Sequence, residues 1–142
     1  MALEVLRLHP SVPKDIKFAV RDDTLPDGTS VPAGAAIIYA PYAMGRDAAL
    51  WEAPHEFRPE RFLAEDGSER RFDMYQYPAF NAGPRLCLGR PLALMEIKLV
   101  TAMLLHAFDF ALAEPHDGGY SSTIVMPMRD GLKVRLTPRA QM

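Results

Sequence analysis

One cysteine, Cys87, is all the thiol chemistry the 142-residue chain has, so it can form no internal disulfide, and no disulfide-linked partner is expected. The four histidines, His9, His55, His106 and His116, are scattered, so no clustered Cys/His set offers itself to zinc. Neither sign of charge dominates. Lys and Arg number 16 against 18 Asp and Glu, a net charge of −2, which excludes the clustered basic excess of a nucleic-acid binder. Long apolar runs are also missing. The longest, residues 92–110, is broken by Glu96, Lys98, His106 and Asp109 and does not read as a membrane span. The first residues, Met1-Ala2-Leu3-Glu4, have neither the basic start nor the apolar core of a signal peptide, so no anchor is expected within this chain.

Hydrophobic residues make up 49% of the chain and charged residues 24%, the balance of a single domain that buries a core. Proline is abundant, at 13 residues, so much of the chain must run as ordered but irregular loop. Residues 3–8 read as an apolar-rich helix that stops at His9, because Pro10 pushes it out of the α region. Residues 15–20 alternate as a strand, and Pro26-Asp27-Gly28 marks a turn between two short extended runs. A second turn, Pro32-Ala33-Gly34, precedes an apolar strand over 35–40 that is expected to be covered on both faces. Residues 41–51 can carry a short helix. Residues 52–78 show no sustained period, and so long a loop is commonly functional. Trp51 in this neighbourhood is expected to pack in the core. The clearest helix spans 91–108, with Pro91 at its first position. It is apolar nearly all round, the pattern of a helix buried in something larger. Strands are expected at 110–113, 123–128 and 132–136, the last two joined by the turn Arg129-Asp130-Gly131. No repeat or linker divides residues 1–142.

The chemistry concentrates in Phe80-Asn81-Ala82-Gly83-Pro84-Arg85-Leu86-Cys87-Leu88-Gly89, directly before the long helix. A lone cysteine is most often a small buried hydrophobe, but its neighbours here argue otherwise. The unpaired N–H groups and dipole of a helix start favour a thiolate at Cys87. Gly83 and Gly89 allow tight turns and the close approach of a flat ligand to the backbone. Arg85 adds a fixed positive charge suited to a carboxylate. Phe80 can pack beside the sulfur and keep water out.

This run resembles, at every fixed position, the Phe-x-x-Gly-x-Arg-x-Cys-x-Gly signature of the cytochrome P450 family. The resemblance implies a mainly α fold with small β-sheets, an α+β arrangement matching the C-terminal portion of that family's fold. It implies haem b (iron protoporphyrin IX) as cofactor, with Cys87 as the axial ligand to iron and Phe80, Gly83, Arg85 and Gly89 around it. Glu4 and Arg7, as a Glu-x-x-Arg pair, and Arg61 in Pro59-Glu60-Arg61-Phe62 resemble the family's buried structural triad, which pins the irregular loop to the first helix. The run Pro10-Ser11-Val12-Pro13-Lys14 resembles a pocket-lining strand, so Val12 and Pro13 are pocket candidates and Lys14 a candidate for a haem propionate. Residues 120–124 resemble a second pocket-lining turn, which adds Tyr120 and Thr123. Arg70, Arg71, Arg90 and Lys98 are candidates for the face where the family docks its reductase.

The function this resemblance implies is that of a monooxygenase, inserting one oxygen atom from O2 into a small apolar substrate, with electrons from NADPH through an NADPH–cytochrome reductase. Leu6-Arg7-Leu8-His9-Pro10, Leu25-Pro26-Asp27-Gly28 and Tyr42-Ala43-Met44-Gly45-Arg46 lean towards the plant and fungal fatty-acid ω-hydroxylase branches. Family members of that kind sit on the cytosolic face of the endoplasmic reticulum membrane. The family's acid–alcohol pair on an oxygen-activating helix has no counterpart in these residues, so no catalytic residue is assigned. The chain is expected to be an incomplete, C-terminal part that is not a competent monooxygenase alone, with its long helix stripped of most packing partners and an exposed apolar patch that favours aggregation. Two other readings compete: a haem-thiolate isomerase or lyase needing no reductase, which usually has a longer loop before the cysteine, and a non-catalytic remnant.

Overall fold

A computed structural model describes residues 1–121 and 123–139. Helix α1 (Ala2–Leu8) presents Leu3 and Leu6 to the interior, together with Glu4 and Arg7, and ends at His9 before Pro10, as the proline requires. Strand β1 (Asp15–Phe18) pairs antiparallel with β4 (Ala36–Tyr39), in a register that sets Asp15 opposite Tyr39 and Lys17 opposite Ile37. Between them, β2 (Asp23–Thr24) and β3 (Ser30–Val31) form a hairpin whose turn uses Gly28 at φ +87°. Asp27 Oδ1 accepts the Thr29 N–H across that turn. The expectation that residues 35–40 are covered on both faces is corrected. Ile38 is 62% exposed, because β1 and β4 form a two-stranded ribbon on which no second layer packs among the described residues.

Helix α2 (Pro41–Met44) is one short turn. Its C-cap, Gly45, lies so close to Arg7 that an added Cβ would collide with the Arg7 carbonyl oxygen, so glycine is required there by contact. The stretch over 52–78 is irregular, as its sequence suggests, with a 3₁₀ turn at Pro59–Phe62 and an isolated bridge between Leu63 and Glu69. It nonetheless contributes Phe62, Phe72 and Tyr77 to the core. Leu3, Trp51 and Phe62 are buried together, with Leu50, Phe72, Tyr77 and Leu94 packed against them. The ring centroids of Trp51 and Phe72 lie 4.8 Å apart, and those of Phe62 and Tyr77 5.4 Å. Aromatic side chains thus give an irregular backbone a fixed shape.

Helix α3 (Arg90–Ala107) begins one residue before the expected start, with Pro91 in its first turn. As expected of a helix without most of its packing partners, it is not buried. None of its residues is, and Leu92, Met95, Leu99 and Met103 are all more than half exposed. Strand β5 (Phe108–Leu112) pairs with β6 (Val134–Pro138), Phe108 opposite Pro138. Here too an expectation is corrected. Residues 123–128 form no strand, and Arg129-Asp130-Gly131 does not join two paired strands. The Met126 N–H is already given to the Ser11 carbonyl and the Ser121 N–H to that of Pro127, which leaves only an isolated bridge between Tyr120 and Met128. Asp130 and Gly131 turn the chain at φ 62° and 69°.

Candidate functional site

The cysteine loop runs from a 3₁₀ turn at Pro78–Phe80, through a second at Gly83–Arg85, into α3. Cross-loop hydrogen bonds give it shape: the Cys87 N–H donates to the Phe80 carbonyl at 2.8 Å, and the Leu86 N–H to that of Gly83 at 3.0 Å. Gly83 sits at φ +59°, which favours glycine; a Cβ there would also meet the Tyr75 hydroxyl at 2.9 Å, though that is the end of an exposed side chain free to move aside. Gly89 is different. It sits in a turn closed by the Arg90 N–H on the Cys87 carbonyl at 3.3 Å, but as N-cap of α3 its φ is −81°, open to any residue, so the turn itself does not require glycine; a Cβ there would lie 3.9 Å from the Cys87 sulfur.

Cys87 is exposed, and Phe80, half-buried, does not close it off as expected. The thiol opens into a cavity of about 270 Å³ walled by Leu6, Val12, Pro41, Phe80 and Arg85. Among the described residues the Arg85 guanidinium has no hydrogen-bond or ion-pair partner, so its charge is available to an anion beside the thiol.

Of the other candidates, the structure brings Glu4, Arg7 and Arg61 together. Glu4 Oε2 accepts from Arg7 Nε at 2.8 Å, while Oε1 accepts from Arg7 Nη2 at 2.8 Å and Arg61 Nε at 3.0 Å. Glu4 and Arg7 are fully buried. Burial pushes the Glu4 carboxyl up, but hydrogen bonds from Arg7, the Arg58 N–H and Arg61 outweigh it and leave its pKa below the ordinary value. Arg7 spends all five of its donors: two on Glu4 and three on the carbonyls of Gly45, Pro54 (2.7 Å) and Glu56 (3.0 Å). Arg61 adds the carbonyls of Glu52 and Ala53. The residues from 52 to 58 are thereby tied to α1 by their own backbone.

The pocket candidates divide. Val12 lines the cavity, but Pro13, Tyr120 and Thr123 do not. The Pro13 carbonyl accepts the Tyr42 N–H, the Tyr120 ring packs 5.8 Å from that of Tyr42, and Thr123 Oγ1 donates to the Val125 carbonyl. That second segment meets the site's side through the Tyr120–Tyr42 ring contact and the bond from the Met126 N–H to the Ser11 carbonyl. Lys14 is exposed. Arg70, Arg71 and Arg90 share a second cavity of about 350 Å³ with Glu69, which pairs with Lys98 at 3.3 Å.

Sequence reasoning missed a polar cluster beside the loop. Asp15 Oδ2 accepts from Lys17 Nζ at 2.8 Å, the Tyr39 hydroxyl at 2.8 Å and Asn81 Nδ2 at 3.0 Å. The Lys17 ammonium first, then the Tyr39 hydroxyl and the Ile16 N–H, outweigh a modest burial penalty and hold the Asp15 carboxyl at about 2. An Asn inside a glycine-rich turn was the one available signal, since Asn tolerates positive φ better than most residues.

This thiol, presented before a helix start by a glycine-turned loop on a small α+β scaffold, belongs to a haem-thiolate protein. The cytochrome P450 family model matches residues 2–128, and the chain belongs to that family. It is 42% identical over 138 residues to cytochrome P450 704C1 of Pinus taeda, covering 96% of this chain and 26% of the relative. It is 37% identical over 137 residues to alkane hydroxylase MAH1 of Arabidopsis thaliana, covering 96% and 28%. The haem domain of a cytochrome P450DA mutant superposes with a TM-score of 0.85 at 25% identity, over 96% of this chain and 29% of that one. The chain thus spans about a quarter of the length of the curated relatives it matches. The family's cofactor is haem b, and the residues here fit it: an exposed thiol and an unengaged guanidinium open onto one largely apolar cavity. Among the described residues no helix is long and apolar enough to cross a membrane.

Proposed function

We propose that this chain carries the haem-ligand part of a haem-thiolate monooxygenase, with Cys87 as the axial ligand to iron. The observation that carries the reading is the exposed Cys87 thiol, held by the Phe80 carbonyl at its backbone and opening into the same cavity as the free Arg85. In this reading the helix dipole at the α3 start complements the negative charge of an iron-bound thiolate. Arg85 binds a propionate as a charge-assisted hydrogen-bond donor. Phe80 walls one side, Gly83 turns the loop, and Gly89 leaves the space beside the sulfur free of a Cβ. Glu4, Arg7 and Arg61 tie the irregular stretch over 52–61 to α1. Bound haem supplies the chemistry by which one atom of O2 enters a C–H bond, given electrons from NADPH.

The substrate we propose is an aliphatic chain, a fatty acid or alkane. The apolar wall formed by Leu6, Val12 and Pro41 and the similarity to an alkane hydroxylase support it. A reductase is the proposed electron donor, docking where Arg70, Arg71 and Arg90 gather, and the cytosolic face of the endoplasmic reticulum is the proposed location. The test is the absorbance of the dithionite-reduced carbon-monoxide complex of haem-loaded protein. A strongly red-shifted Soret band, absent in Cys87→Ala, is expected; the same band in both proteins, or none in either, rejects Cys87 as the ligand.

A further inference from the structure

Asn81 occupies a backbone conformation that side chains avoid. Its φ of 66° and ψ of −176° lie in a region used almost only by glycine, where other residues are strained and persist only when their surroundings over-determine them. The surroundings are on hand. Asp15 and Tyr39 are directly opposed on β1 and β4, so their side chains share one face of the ribbon. Asn81 Nδ2 donates to Asp15 Oδ2 at 3.0 Å, and Asn81 Oδ1 accepts from the Ala82 N–H at 2.9 Å. The reverse amide orientation would set two donors together at Ala82 and an oxygen against the Asp15 carboxylate, so the orientation is determined. The Tyr39 oxygen lies 2.8 Å from Asp15 Oδ2 and 2.7 Å from Asn81 Oδ1, with one proton to share between them. The residue so clamped follows Phe80, whose carbonyl holds the Cys87 N–H.

We infer that Asp15, Tyr39 and Asn81 are positioning residues for Cys87: the β1–β4 ribbon holds Asn81 in a glycine-like conformation, and this sets the Phe80 carbonyl that fixes the thiol-bearing backbone. The consequence for a haem ligand rests on the function proposed above; the ordering of the loop does not. None of the three touches the thiol itself through a hydrogen bond among the described residues. They act through Asn81 and Phe80.

Glycine at 81 is the diagnostic change, since glycine adopts this conformation without needing the clamp. The first readout is hydrogen exchange of the Cys87 amide, with the iodoacetamide alkylation rate of the chain's single cysteine beside it. Asp15→Ala is expected to speed both by about tenfold or more while the amides of Trp51 and Phe62 keep their protection. Tyr39→Phe, which removes only a hydroxyl, is expected to change them in the same direction and guards against a misfolded Asp15→Ala. In an Asn81→Gly background, Asp15→Ala is expected to change either rate by less than about threefold. Equal acceleration in both backgrounds, or none in either, overturns the inference. The second readout is the reduced carbon-monoxide spectrum of the haem-loaded protein, where Asp15→Ala is expected to shrink the red-shifted band and Asn81→Gly to restore it. If no parent band exists but the exchange pattern holds, the haem reading fails and the loop inference stands. If the parent band is present and lost in Cys87→Ala while exchange ignores Asp15, the loop inference alone fails.

Discussion

Glu4 and Arg7 show at the scale of single side chains how a buried charge is made tolerable. Removing a carboxylate and a guanidinium from water costs several kcal/mol per ion, and only complete pairing offsets it. Here pairing is complete: Glu4 accepts from two guanidinium groups and a backbone N–H, and Arg7 has no donor left over. Glu4→Gln keeps the shape but removes the charge that two arginines face. It is expected to cost about 3–5 kcal/mol in urea unfolding, the usual cost of orphaning a buried partner. Arg7→Lys keeps the charge but cannot supply five donors in a fixed fork, so it is expected to destabilise comparably, by freeing the carbonyls of Gly45, Pro54 and Glu56. A loss under about 1 kcal/mol in both would mean the triad behaves like a surface pair.

The β1–β4 ribbon is the element whose behaviour should follow pH. Asp15 has a folded pKa of about 2 against an ordinary value of 3.8, chiefly because of Lys17. The unfolded chain therefore binds the proton first, and acid favours unfolding. The contribution is full above 3.8 and is lost as pH falls through about 2. Thermal midpoints measured across that window are expected to fall more steeply in the parent than in Asp15→Asn, the two curves converging at the acid end. Parallel curves would show that the Asp15 cluster is not formed in solution. Glu4, whose pKa is also lowered, acts in the same direction in both proteins and cancels in the comparison.

At the scale of the whole molecule the exposed α3 dominates. Leu92, Met95, Leu99 and Met103 stand out on a helix that, among the described residues, packs on the core through Leu94. A contiguous apolar surface of this kind drives association in water. The 142-residue chain alone is expected to sediment as oligomers and to bind a hydrophobic dye strongly. Leu99→Lys with Met103→Lys is expected to reduce both without loss of the Trp51 core signal, since neither residue belongs to the core. A monodisperse, dye-silent parent would contradict this.

Features that consecutive residues can encode were legible in the sequence by itself. The cysteine loop is ten adjacent positions, and α3 announces itself by composition and by Pro91. The turn at Gly28 and the stop at His9 come from backbone sterics alone. Glu4, Arg7 and Arg61 could be named only through resemblance, because Arg61 lies 57 residues from its partner. Tertiary structure decided the rest. Whether 35–40 was covered, which strand met β5, and whether Pro13, Tyr120 and Thr123 reached the cavity all depended on packing between distant segments. Asn81 makes the point most directly. Its strained backbone is held by Asp15, 66 residues away, and Tyr39, 42 away, and a local pattern has no means of expressing a conformation enforced from that distance.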